Sequence, residues 1–139
     1  MKYSFCHVEH NPPETYGDCI RACIASILNL ETSDVPHFYH DNCEAETGTG
    51  RIRDWLDGRG LGIVHCPFPG DTVTLPQLLE FWKDGNPDIP AMLIAGTGKG
   101  DHAVIVRNGE IEHNPAWHGS KITEPHSNGF WNMMVIAVK

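Results

Sequence analysis

The chain has no long apolar run. Nowhere do its 139 residues approach the roughly 20 consecutive apolar positions of a membrane-spanning helix. The stretch Met1-Lys2-Tyr3-Ser4-Phe5-Cys6-His7 also lacks the apolar core of a signal peptide. A cytoplasmic protein with no membrane partner is the expectation. Basic residues are scarce too: ten Lys and Arg stand against eighteen Asp and Glu, a formal charge of -8, and they are scattered singly. Such a chain repels a phosphate backbone, which argues against nucleic acid as a partner. Five cysteines (Cys6, Cys19, Cys23, Cys43, Cys66) make an odd set without framework spacing. A stapled secreted scaffold is therefore not expected, and at least one thiol is free. Paired Cys-x-x-Cys and His-Glu-x-x-His spacings are missing as well. His37, His40 and Cys43 fall three apart, and His113 and His118 flank Asn-Pro-Ala-Trp, but neither spacing matches a standard site. No metal and no cofactor is expected.

What remains is an ordinary globular composition, 40% hydrophobic and 20% charged, of a length suited to one domain over 1–139. The opening residues to Tyr16 contain Asn11-Pro12-Pro13 and read as a leading loop. From Cys19, the residues Ile20, Cys23, Ile24, Ile27 and Leu28 form one helical stripe, with Asp18 as N-cap. Ser33-Asp34-Val35-Pro36 offers a second start signal, for a short helix or turn carrying His37, Phe38, Tyr39 and His40. Glu46 to Gly50 reads as a polar turn, followed by a helix through Ile52, Trp55 and Leu56 that stops at Gly58 and Gly60. A strand over 61–66 and a helix over 75–82 come next, with Pro76 tolerated in its first turn.

Strands are then expected over 91–95, 102–106, 110–113 and 133–138. Asn108-Gly109 joins two of them through a tight turn, since both residues accept positive φ. The order, helices first and sheet later, predicts an α+β domain whose N-terminal helix packs on a C-terminal antiparallel β-sheet.

Three short stretches carry chemistry. Gly17-Asp18-Cys19 places a thiol at the start of a helix, where the partial positive charge favours a thiolate. Asp101-His102 opens an apolar strand behind a glycine-rich loop, and Asn114-Pro115 ends the strand after it. A symmetric hairpin sets His102 opposite His113 with Asn114 one step away, so His102 and Asn114 are expected to be neighbours. An asparagine beside an imidazole accepts its second N–H, fixes the tautomer and frees the other nitrogen to take a proton from a thiol. His113, on the adjacent strand, is the rival base. Cys23 fits a packing role, and Trp117 is placed to shield the His102–Asn114 bond from water.

In the order of these elements the chain resembles papain-like cysteine peptidases. It is most similar to the compact bacteriocin-processing peptidase domains and related bacterial and phage proteins, whose Asp-Cys, His-Ala/Tyr-Val-Val and Asp-Pro elements run in this order. The resemblance implies a papain-like fold, a peptide or protein substrate, Cys19 as nucleophile, His102 as general base and then acid, and Asn114 as the orienting group. One departure concerns the oxyanion. The superfamily places a glutamine six residues before the nucleophile, and here Pro13 stands there and cannot donate. The Cys19 N–H is one candidate donor, and Asn11 or Thr15 a second if the leading loop folds over the site. An unreplaced donor costs on the order of 10² to 10³ in turnover. Amide hydrolysis through an acyl-enzyme is the default reaction, and acyl transfer to an amine uses the same residues. The contrasting expectation is a binding or inhibitory module on a degenerate papain-like scaffold.

Overall fold

The structure is a computed structural model and describes residues 1–116 and 120–139. Helix α1 spans Cys19–Ile27 and is followed by a short 3₁₀ turn, Thr32–Asp34; α2 spans Ala45–Asp57 and α3 Leu75–Gly85. The strands are β1 (Leu61–Pro69), β2 (Ala91–Gly96), β3 (Asp101–Arg107), β4 (Glu110–His113) and β5 (Phe130–Val138). They form one sheet in the order β1-β5-β2-β3-β4, and every neighbouring pair is antiparallel. The class is α+β, as expected. The helices do not all precede the sheet, however: β1 comes before α3 and forms one edge.

Both faces of the sheet are covered, which explains the unbroken apolar runs in β2 and β3. Met92, Ala103 and Ile105 pack with Cys23, Ile24, Ile52 and Leu56 of α1 and α2. Their neighbours Leu93, Val104 and Val106 join Leu78 and Trp82 of α3 on the opposite face. Strand alternation thus feeds two apolar clusters from one run of sequence. Pro67 and Pro69 lie in β1, an edge strand, where a missing N–H costs no ladder bond on the open side.

Helix α1 is buried on more than its expected stripe. Ala22, Ala25 and Ser26 are buried along with Cys23 and Ile24, because the leading residues cross it. The Ser4 N–H donates to Ser26 Oγ (2.8 Å), the Ser4 hydroxyl to the Leu30 carbonyl (2.6 Å), and the Thr32 hydroxyl to the Phe5 carbonyl (2.6 Å). The Cys6 N–H continues to the Pro115 carbonyl at 3.0 Å. The leading residues therefore strap α1 to the end of β4.

Asp18 occupies the N-cap position but makes no side-chain cap. Its buried carboxylate turns to the strap instead and accepts the N–H groups of His7 (3.1 Å) and Val8 (3.1 Å), with Arg21 at 3.3 Å. A further expectation is narrowed and another changes. The second start signal gives the 3₁₀ turn at Thr32–Asp34, and of the short helix or turn expected to carry His37 to His40 it is a turn, over 38–41, that forms. Residues 46–50, expected as a turn, are helical, since α2 begins at Ala45. Gly48 fits there because the Tyr39 ring lies against it: a Cβ would stand 2.0 Å from Tyr39 Cε1. Arg51 fastens the same stretch by donating to the Phe38 carbonyl and the Asp41 carboxylate, both at 2.8 Å.

The β3–β4 hairpin turns at Asn108 and Gly109, both at positive φ (54° and 84°), as their identity predicts. Its register is not symmetric. Arg107 faces Glu110 and Val106 faces Ile111, but Ile105 faces His113, so Glu112 is an extra residue in β4. A bulge of this kind shifts every later pairing by one. With Arg107 facing Glu110, an unbulged register would already set His113 opposite Val104, and the bulge moves it one further, to Ile105, so His113 does not face His102.

Candidate active site

A pocket of about 270 Å³ opens between α1, α2 and one end of the sheet. Cys19 and Ile20 come from the first turn of α1, Thr49 and Arg53 from α2, His65 from β1, Ile94 from β2, and Asp101 and His102 from the start of β3. Helix α1 packs against β3, which brings the Cys19 sulfur to the backbone N–H of Ala103, the residue after His102. Cys19 and His102 therefore share one pocket wall.

Asn114 sits behind the imidazole. Its Oδ1 meets His102 Nε2 at 2.8 Å and also accepts the Ala116 N–H at 3.1 Å, while its Nδ2 donates to the Ser120 carbonyl. These partners fix the carboxamide with its oxygen toward the ring. His102 Nε2 must then carry the hydrogen, and Nδ1 keeps its lone pair. The two side chains meet although His113 is displaced from the expected register.

His113 has a different environment. Its Nε2 bonds the Ser4 carbonyl at 2.7 Å, Tyr3 stacks on its ring at 4.8 Å, and Phe5 meets it edge-on at 5.0 Å. It is buried and does not line the pocket. Asn11 and Thr15, the candidate second oxyanion donors, do not line it either. They pair with each other in a small exposed turn, where the Thr15 hydroxyl donates to the Glu9 carbonyl at 2.5 Å.

The electrostatics of the site also depart from expectation. Burial pushes the Cys19 thiol above its ordinary value, against the pull of the Ala103 and Ile20 N–H groups, which favour the thiolate. Burial likewise lowers the His102 imidazole, and the Asn114 bond opposes that shift only in part. Desolvation outweighs the partial charge of the helix start, so thiol and imidazole both rest neutral at pH 7.

Several residues of the pocket carry no sequence signal. His65 Nε2 bonds Asn132 Oδ1 at 2.9 Å, although the two are 67 residues apart in sequence. At the rim, Asp101 accepts from the Ser127 hydroxyl (2.6 Å) and N–H (2.9 Å) and from His126 Nε2 (3.2 Å). The Asn128 N–H donates to His126 Nδ1 at 3.0 Å, so both ring nitrogens of His126 are engaged and it holds the rim in place. Spacing could not have announced these partners, because they meet only across the assembled sheet.

Among the described residues no three His, Cys, Asp or Glu side chains converge as metal ligands. His37 bonds the Tyr16 carbonyl at 2.7 Å, and the Cys43 sulfur donates to the Phe38 carbonyl at 3.5 Å. All five cysteines are free thiols. The expectations for Trp117 and His118 fall outside the described residues. Among those residues no helix is long and apolar enough to cross a membrane. Set against protein-family models, curated proteins and solved structures, the chain finds no match in any of the three.

Proposed function

We propose that the protein is a thiol-dependent acyl-transfer enzyme of papain-like type, acting on a peptide or amide carbonyl through Cys19, His102 and Asn114. The observation that carries this reading is the 2.8 Å bond from His102 to Asn114 at the wall of the pocket that holds Cys19. The bond leaves His102 Nδ1 as the proton acceptor. As the Cys19 sulfur attacks the carbonyl carbon, its proton passes to Nδ1 and the carbonyl electron pair moves to oxygen. Collapse of the tetrahedral adduct breaks the bond to the leaving group, which takes the proton from His102. A water then gives its proton to the same nitrogen and attacks the thioester carbon; the C–S bond breaks, the acid leaves, and the Cys19 sulfur takes its proton back from His102. Asn114 holds the ring in one tautomer throughout.

The neutral resting pair means that nucleophile and proton acceptor are activated together when the substrate arrives. Dilute iodoacetamide near pH 7 tests the reading, with peptide mapping to locate the label. Alkylation of Cys19 well ahead of Cys43 and Cys66 is the expected result, and it should slow when His102 is replaced by Ala. Equal labelling of the three thiols would sink it.

A second reading, a binding module on the same scaffold, draws on two observations: burial of the Cys19 thiol and proline at position 13. It predicts a Cys19→Ala protein that retains every property of the parent.

A further inference from the structure

The acyl-transfer reading leaves one part unassigned. A thiol attack places negative charge on the carbonyl oxygen, and Pro13, Asn11 and Thr15 supply no donor to the pocket. The backbone N–H groups of Cys19 and Ile20 lie at the Cys19 sulfur and are uncapped, because the Asp18 carboxylate is turned away to His7 and Val8. A side-chain donor must come from the pocket lining.

Most donors there are already spent. His65 Nε2 and Asn128 Nδ2 face Asn132 Oδ1, His126 Nε2 faces Asp101, and Asn132 Nδ2 faces Asn128 Oδ1. Arg53 is exposed at the mouth. Tyr39 remains. It lines the pocket with Cys19 and packs against the same apolar cluster. Its ring is seated on Gly48, where no side chain would fit. Its oxygen is held by the side chain of Thr49, itself a residue of the pocket wall. With Thr49 as donor to the phenol oxygen, the phenol hydrogen is free to point into the pocket.

We propose that Tyr39 is a catalytic residue, its O–H donating to the oxyanion formed when Cys19 attacks a carbonyl. The proposal rests on the acyl-transfer reading and adds the donor that the sequence lacks. Burial holds the phenol above its ordinary value, so the hydrogen is present across the working pH range. The rigid seat on Gly48 matters because an oxyanion donor works only when its position is fixed before the charge develops.

Two reactions of the same sulfur separate this role from any other. Acylation by p-nitrophenyl acetate passes through a tetrahedral oxyanion, whereas alkylation by iodoacetamide displaces iodide at a saturated carbon and forms none. Tyr39→Phe, which keeps the ring, should slow the p-nitrophenol burst about 10²-fold and leave the alkylation rate of Cys19 unchanged within about twofold. A wild-type burst in Tyr39→Phe overturns the proposal. So does a fall in alkylation that matches the fall in acylation, since the phenol would then act on the thiol. A wild-type protein that is not acylated at Cys19, or a Cys19→Ala variant with an undiminished burst, overturns the acyl-transfer reading itself. A urea unfolding curve verifies that Tyr39→Phe is folded. If it is not, Thr49→Val carries the test: a slowed burst with unchanged alkylation supports the proposal, and an unchanged burst ends it.

Discussion

His102 and His113 stand on the paired strands β3 and β4, and each ring has one nitrogen bonded to an oxygen: Asn114 Oδ1 at 2.8 Å and the Ser4 carbonyl at 2.7 Å. The bonded nitrogen does not tell them apart. What differs is the rest of the ring, which at His102 lines a pocket with Cys19 and at His113 is enclosed by Tyr3 and Phe5. A histidine can serve as a base only where its second nitrogen meets a proton donor; elsewhere the same bond is a fastener. Under the proposed function, one hairpin would present an imidazole of each kind.

Replacing each ring in turn is the sharpest way to break this comparison. His102→Ala should lower the p-nitrophenyl acetate burst by about 10² to 10⁴, the range for loss of a general base, with the urea midpoint close to wild type. An equal loss of activity in His113→Ala would erase the distinction. Asp18→Ala tests the strap that encloses His113. Its buried carboxylate serves two backbone N–H groups and Arg21, so its loss should cost about 3 kcal/mol of stability. An unchanged urea midpoint would show that the strap needs no such anchor. His113→Ala should cost about 2 kcal/mol, because the buried Ser4 carbonyl keeps only the longer Ser26 hydroxyl bond at 3.3 Å and Tyr3 and Phe5 no longer have a ring to pack on. Its alkylation rate at Cys19 should match the wild type.

The smallest effect is one of pH. His102 is held below its ordinary 6.5 in the folded chain, so below pH 6.5 the unfolded chain binds the extra proton first. Its contribution to stability is present above pH 6.5 and is lost as pH falls toward the folded value. The burst rate should decline over a window lying below 6.5, because a protonated ring accepts nothing. Comparing urea midpoints at pH 7.5 and 5.5 checks the stability side: His102→Ala should flatten part of the pH dependence, and His113→Ala should leave that part in place.

Much of the architecture was legible because it is local. The stripe from Cys19, the Asn108-Gly109 turn and the apolar runs of β2 and β3 each carry their own signal within about ten residues. The proximity of His102 and Asn114 was legible for the same reason, since a two-residue turn makes the two strands neighbours. Its register was not, because nothing in Glu110-Ile111-Glu112-His113 marks the extra residue. The helical start at Ala45 was hidden as well. Two glycines and two threonines there argue against a helix, and the Tyr39 ring against Gly48 and the bonds from Arg51 back to Phe38 and Asp41 are what favour it. At Cys19 the helix start suggested a thiolate, but desolvation is set by the whole fold and outweighs it. Tyr39 gave no sign, being one aromatic in a polar stretch whose meaning depends on a glycine nine positions later.

The buried carboxylate of Asp18 has a consequence for handling the protein. Residues 4–8 bond Asp18, Ser26, Thr32 and His113 at once, and Asp18 adjoins Cys19. Trimming the chain at residue 9 would take bonds from four buried polar groups in a single cut, leaving Asp18 with Arg21 and Ser26 with the Ala22 carbonyl. A reporter or affinity handle joined at Met1, which is exposed, leaves those bonds intact. The first eight residues therefore mark the boundary between a harmless extension and a deletion that reaches the start of α1.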